Sequence, residues 1–438
     1  MTKGSKKRLI ERVKSIMILL LSCSAIYLVT RTQSVILGSS SGGDLYPTAE
    51  GQQTPAEDGG TTARPLRMAA AIQRGGEVMH YGVQYNQEGT DALFQQAYSL
   101  LLEALSSAGQ PQMVDEEAWQ QALSTAPGIY FDWQGEVPLT VLSQWLSVDN
   151  PSLTGTVRRM VLTAVDGQVL LYYWDESTDQ GCACASDVIS ADRLVELVGG
   201  LQENGARFAF ESEEYRGLSP YTMVLPQTPA PAVYTAVNSL SGEESRRAIQ
   251  EQLGFPENSI FYEAAGEQVI RNRNDTLHMG ENGWVTYEAS AEGSDRYRLT
   301  GAGIYDAVEG CRQFAQRMLG QSCGEALLYL MSVQETGEGG WQVAFGFCLD
   351  GVPVRVGENG WAAHFTVEEG QITHFQLCFR SYTDSGATSV VLPERQAMAA
   401  METMGHTGEE LMLIYLDSGS DGSVSASWAA AGELSTGR

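Results

Sequence analysis

Two imidazoles and a thiol fall close together in "WAAHFTVEEGQITHFQLCF", residues 361–379. The run reads as a hairpin, and matching its apolar residues across a loop of Glu368, Glu369 and Gly370 sets Phe365 opposite Thr373, Ala363 opposite Phe375 and Trp361 opposite Leu377. His364 then faces His374 on the polar side, with Cys378 four residues along. Such a trio could hold a transition metal or sense acid pH. The plainer expectation is a solvated sheet face. "CAC", Cys182 to Cys184, has no second Cys pair at zinc spacing and is expected as free thiols in a strand or loop. "DSGSDGS", Asp417 to Ser423, starts like a calcium loop, but Gly419 sits at its third position and Trp428 where the closing acid belongs, so a hairpin turn is expected. Glu213 and Glu214 have no base nearby in sequence. A zinc-binding His-Glu-x-x-His helix, Ser-x-x-Lys and a phosphate-cradling glycine loop are absent. The sequence is therefore expected to be no enzyme and to need no metal or cofactor.

The elements that would position these residues are legible in the periodicity. "TDALFQQAYSLLLEAL" from Thr90 places Leu93, Ala97, Leu100, Leu101 and Leu105 on one helical face, with Thr90 or Asp91 as its cap. "MVLTAVDGQVLLYYW" from Met160 predicts two strands turning at Asp166-Gly167. "SADRLVELVGGL" predicts a helix capped by Ser190, with Leu194, Leu197, Val198 and Leu201 inward, and Leu225 to Val233 reads as an extended, Pro-rich crossing. Two further helices, one opening at Ser241 and ending at Gly254, the other opening at Asp306 and ending at Gly320, are each followed by strands and by "GENGW", at Gly280 to Trp284 and Gly357 to Trp361. Asn-Gly is a tight-turn signal, so each copy is expected to close a hairpin, in two related helix-plus-sheet units or by coincidence of a common turn.

Charge divides the chain in two. Residues 1–31 carry seven Lys or Arg against Glu11, a net +6, which leaves −33 on the rest of a chain whose total is −27. So acidic a body repels phosphates, which disfavours nucleic acid and anionic lipid surfaces as its partners. Lys6, Lys7, Arg8, Arg12 and Lys14 precede an uncharged run from Ser15 to Thr30, long enough for a transmembrane helix whose basic side stays in the cytoplasm. Lipidation at Cys23 and cleavage after Ala25 are the rival readings; the apolar run continues past both sites, which favours an uncleaved anchor. Ser15, Ile18, Ser22, Ala25 and Val29 form one stripe of that helix, three of them small, and are the candidate transmembrane interaction face. Gly38 to Pro65 reads as a flexible tether.

The expected organisation follows: a basic tail 1–14, a transmembrane helix 15–31, a tether 32–68, a first α+β domain 69–238, a middle unit 239–300 and a C-terminal unit 301–438. The fold class is α+β, with two or three extracytoplasmic domains of antiparallel sheet and packed helices behind a single membrane anchor.

Several segments in this order resemble one family. "RVKSIMILLLSCSAIYLV" at 12–29, "GIYFDWQGEVPLTVLSQWL" at 128–146, "LGFPENSIFYE" at 253–263, "NDTLHMGENGWVTYEA" at 274–289, "FGFCLDGVPVRV" at 345–356 and "VSASWAAAG" at 424–432 resemble the YycH-type regulators of Gram-positive bacteria. What the resemblance implies is a membrane-anchored extracytoplasmic protein that modulates a sensor histidine kinase of the WalK kind in cell-wall homeostasis, often beside a second anchored protein, YycI. The long Gly/Ser tether and the strongly acidic body depart from that pattern. The alternative is an envelope enzyme or ligand-binding module, lipidated or not.

Overall fold

The computed structural model describes residues 62–432, apart from 257, 258, 265, 274, 291–293 and 338. The expected tail, membrane helix and most of the tether therefore lie outside the described residues, as do Ser15, Ile18, Ser22, Ala25 and Val29. All described residues belong to one compact unit. No helix among them is long and apolar enough to cross a membrane.

The first half of the fold is an antiparallel seven-stranded sheet in the order β2-β1-β4-β5-β6-β7-β3. Its strands are β1 (Arg67–Arg74), β2 (Glu77–Val83), β3 (Gln112–Val114), β4 (Gly128–Pro138), β5 (Thr156–Val165), β6 (Gln168–Asp175) and β7 (Gln180–Ser190). The β5–β6 turn is the expected one: Asp166 and Gly167 have φ of +51° and +83°, and Val165 pairs with Gln168. Alternation along the strands gives the sheet two dry faces. Met68, Ala70, Phe131 and Met160 pack with helix α1 (Gln87–Ser107), while Ala69, Tyr130 and Val161 pack on the other side against Trp119 of α2 (Glu116–Leu123).

Helix α1 buries Leu93, Ala97, Leu100, Leu101 and Leu105 as its spacing requires. It starts earlier than expected. Asn86 is the cap, accepting from the Gly89 N–H at 2.7 Å, because a helix begun there also buries Thr90 in its first turn. Ser190 does cap the next long helix (Ala191–Gly199), which follows a short one (Leu139–Trp145); these are α4 and α3.

The second half is an eleven-stranded sheet in the order β11-β12-β13-β14-β19-β18-β16-β17-β21-β23, with β15 also on β16. Its members are β11 (Ile260–Ala264), β12 (Glu267–Asn272), β13 (Asp275–Gly280), β14 (Trp284–Glu288), β15 (Leu327–Glu335), β16 (Trp341–Leu349), β17 (Val352–Val356), β18 (Ala363–Glu368), β19 (Gln371–Cys378), β21 (Leu411–Asp417) and β23 (Ala426–Ala430). A three-stranded sheet of β10 (Ala232–Asn238), β20 (Arg380–Thr388) and β22 (Gly422–Val424) lies apart from it in strand pairing, and β8 (Arg207–Phe208) pairs with β9 (Met223–Val224). Helices α5 (Glu243–Gln252) and α6 (Ile304–Leu319) are capped by Gly242 and Gly303 rather than by Ser241 and Asp306. Asp306 instead accepts from the Thr300 hydroxyl within the first turn of α6.

The two pentapeptides do different work. Gly280 to Trp284 closes the β13–β14 hairpin, with Gly283 at φ +85°. The second copy closes no hairpin. Strands β17 and β18 both pair with β16, at Phe347–Leu349 and Trp341–Phe345 respectively, so residues 357–362 loop out between two segments that continue in one direction. With β17 and β18 counted as one interrupted strand, β11 to β14 and β15 to β19 are both helix-led antiparallel meanders, joined where the last strand of each pairs antiparallel with the other, Trp284 opposite Cys378. GENGW falls between strands in one meander and inside a strand in the other.

Candidate functional site

The register that would set His364 directly opposite His374 does not form, and the two lie diagonally across the ladder. Glu369 and Gly370 alone make the β18–β19 turn, at φ +50° and +74°, and a register shift between Thr366 and Val367 moves the pairing on by one more residue. Phe365 then lies opposite Phe375, Ala363 opposite Leu377, His364 opposite Gln376 and His374 opposite Thr366. Aromatic packing accounts for the choice, since Phe375 also stacks on Tyr287 at 5.1 Å and contacts Phe314 at 5.1 Å. Burial lowers the pKa of both imidazoles, and the neighbouring His374 adds to the effect at His364. Cys378 is buried at the far end, its thiol pushed up by burial. Among the described residues no three His, Cys, Asp or Glu side chains gather as metal ligands.

The other candidates are equally dispersed. Cys182 and Cys184 lie buried in β7 as free thiols. Glu213 and Glu214 are exposed and pair with Arg216 and Arg395. "DSGSDGS" is a turn but not a hairpin, because β22 pairs with β10. Its carboxylates serve an arginine: fully buried Arg380 meets Asp417 through Nε and Nη2 at 3.0 Å each and Asp421 through Nη1 at 3.0 Å, and the Tyr382 hydroxyl donates to Asp417 at 2.8 Å.

The densest charge cluster was not foreseen. Arg67 of β1 and Arg158 and Arg159 of β5 meet Glu410, which immediately precedes β21, and Asp132 of β4 joins them through Arg158. Arg67 Nη1 reaches Glu410 at 2.7 Å, Arg158 Nη2 at 2.8 Å and Arg159 Nη2 at 2.7 Å; Arg158 Nε also donates to Asp132 at 3.1 Å. Consecutive residues of a regular strand point to opposite faces. A register shift between Val157 and Met160 is what lets both arginines reach one carboxylate. Burial opposes the Glu410 charge, yet Arg158, Arg159 and Arg67 outweigh it and hold the carboxyl well below its usual range. The sequence signal was present: "YFDWQ" and "VRRMV" set charges inside apolar runs, where a charge is tolerated only when paired. The cluster ties the first sheet to the last strands of the chain.

A cleft of about 240 Å³ is lined by Trp133, Trp145, Tyr329, Phe345, Arg64 and Arg312. Its arginines are engaged, Arg64 with Asp91 and Arg312 with Glu309, and Trp145 Nε1 donates to Glu309 at 3.0 Å. It offers shape and aromatic surface, with its arginines held in ion pairs.

What the geometry defines is an α+β scaffold of mainly antiparallel sheets whose two main buried charge clusters, around Glu410 and Arg380, are internally ion-paired. Its fold is similar to that of YycH from Bacillus subtilis, seen in a crystal structure, with a TM-score of 0.54 over 85% of this chain and 95% of that one, at 10% sequence identity. The YycH-type fold expected from the sequence is thus the fold observed. No family model and no curated protein matches the sequence.

Proposed function

We propose that the protein is a membrane-anchored extracytoplasmic regulator, without catalysis of its own, that modulates a WalK-like sensor histidine kinase of a cell-envelope two-component system. The supporting observation is the shared fold, which extends over 95% of YycH. Within this reading the basic tail is cytoplasmic, the body is outside, and a YycI-like anchored protein is a further partner. The stripe of Ser15, Ile18, Ser22, Ala25 and Val29 is the contact with the kinase's membrane helices, because small residues let backbones approach closely where lipid gives apolar burial no net drive.

The topology has a direct test, since all lysines of the chain lie within its first 14 residues. A membrane-impermeant amine reagent should leave the protein unlabelled on intact cells and label it after lysis. Labelling of intact cells would put an amine outside, on the tail or on a new amino terminus left by cleavage, and would remove the proposed uncleaved, tail-inside orientation.

Regulation is tested separately. Ser22→Leu with Ala25→Leu is expected to reduce co-purification of the kinase by about tenfold, the equivalent of roughly 1.4 kcal/mol of helix packing, and to alter a kinase-dependent reporter while export is unchanged. Unchanged co-purification and reporter output would move the contact to the outer domains. A wild-type protein that neither co-purifies with a histidine kinase nor changes its output when deleted would overturn the regulatory reading itself.

A further inference from the structure

The two halves of the fold share the cleft of about 240 Å³. Trp133 of β4 and Trp145 of α3 come from the first half, and Tyr329 of β15, Phe345 of β16 and Gln316 of α6 from the second. Both indole N–H groups are committed, Trp133 Nε1 to the Ala63 carbonyl at 2.8 Å and Trp145 Nε1 to Glu309 at 3.0 Å, so these side chains offer the cleft ring surface rather than donors. Trp133 is also held by stacking on Phe131, 6.0 Å between centroids. The charges of the lining cancel, Arg64 against Asp91 and Arg312 against Glu309. Two polar side chains are left over. The Tyr329 hydroxyl and the Gln316 amide make no hydrogen bond among the described residues. The Tyr329 ring is seated against Gly346, where an added Cβ would lie 2.6 Å from its Cε1. Burial raises the pKa of its hydroxyl, which therefore stays a neutral donor.

We propose that the cleft is a binding site for a small uncharged molecule that carries an aromatic ring and a carbonyl or amide group. Aromatic walls favour a ring, through offset or edge-on packing. The ion pairs leave no cation to neutralise a carboxylate or phosphate and no acid to neutralise an amine, so an ion would lose its hydration without compensation. An acceptor oxygen answers the Tyr329 donor, and the exposed Gln316 amide serves either sense of hydrogen bond. Size sets the limit: a cavity of about 150 Å³ takes benzene, so this one has room for about ten non-hydrogen atoms. Thr62, Arg64 and Leu66, from the segment with which the described chain begins, line the same cleft. An occupant therefore touches both halves and that segment at once. The inference does not depend on the kinase.

Three probes matched in size test it: benzamide, its anionic counterpart benzoate, and cyclohexanecarboxamide, which keeps the amide but not the aromatic ring. The full chain in lipid nanodiscs is titrated with each, and binding is followed by saturation-transfer NMR of the probe against empty nanodiscs. Benzamide should bind saturably, benzoate about tenfold more weakly or worse, and cyclohexanecarboxamide about threefold more weakly. Tyr329→Phe should weaken benzamide about fivefold, the loss of one hydrogen bond, while the preference for benzamide over cyclohexanecarboxamide persists. Leu327→Trp, at a lining position that is 46% exposed and so tolerant of bulk, should abolish binding by closing the cleft. Both variants should keep the near-ultraviolet circular dichroism of the parent. Benzamide that fails to saturate, benzoate that binds as tightly as benzamide, or binding unchanged by either substitution would overturn the site.

Discussion

Replacing Glu410 by alanine is expected to cost about 3–5 kcal/mol of stability, the scale for removing one member of a buried, hydrogen-bonded ion cluster. Glu410 accepts from Arg67, Arg158 and Arg159, and its removal leaves three cations with Asp132 as their one remaining ion-pair partner among the described residues and Glu176 as the next nearby acid. Arg67 is fully enclosed, so water cannot take over as counterpart. Urea unfolding of the detergent-solubilised chain measures the loss. The exposed pair Arg193–Glu103 is the internal standard: Glu103→Ala should cost less than about 1 kcal/mol, since water screens both partners. A Glu410→Ala loss no larger than that of Glu103→Ala would mean the cluster is hydrated and does not join the two halves.

The same cluster shows where sequence reading stops. Helix α1, the α4 cap and the Asp166-Gly167 turn were legible because each is decided within a few residues, by apolar spacing, a serine side chain and two positive φ angles. The partner of Arg67 is 343 residues away, and nothing local to either residue names the other. Register failed for a related reason. The span from Trp361 to Phe379 allowed two pairings, and Tyr287, a residue of another strand, decided between them by stacking on Phe375. The second GENGW misled because a turn signal describes a change of direction over four residues, whereas a hairpin also needs the flanking strands to choose each other. Here β16 took both.

Glu394 should set the alkaline side of the stability profile. It opens α7 (Glu394–Met404), is buried, and accepts from the Leu225 N–H at 3.2 Å. Burial pushes its carboxyl up to about 8, against the opposing Leu225 hydrogen bond and Arg67. A carboxyl whose folded pKa lies above its unfolded value binds more protons when folded. Its contribution is therefore complete below about pH 4.5 and is lost as pH rises toward 8. Glu410 acts in the opposite sense: its folded pKa is depressed, so its contribution is present above pH 4.5 and is lost in acid. Between these limits the protein is expected to be most stable in mildly acidic solution. Glu394→Gln removes the proton requirement while keeping an acceptor for Leu225. At pH 8 it should stabilise the protein by about 2 kcal/mol, less than the full shift implies at roughly 1.4 kcal/mol per pKa unit, because the ionised side chain can relax toward water. At pH 4.5 the variant and the parent should unfold at nearly the same urea concentration. A variant whose advantage is the same at both pH values would show that Glu394 is already ionised in the folded protein, and that its buried place is held by charge rather than by a proton.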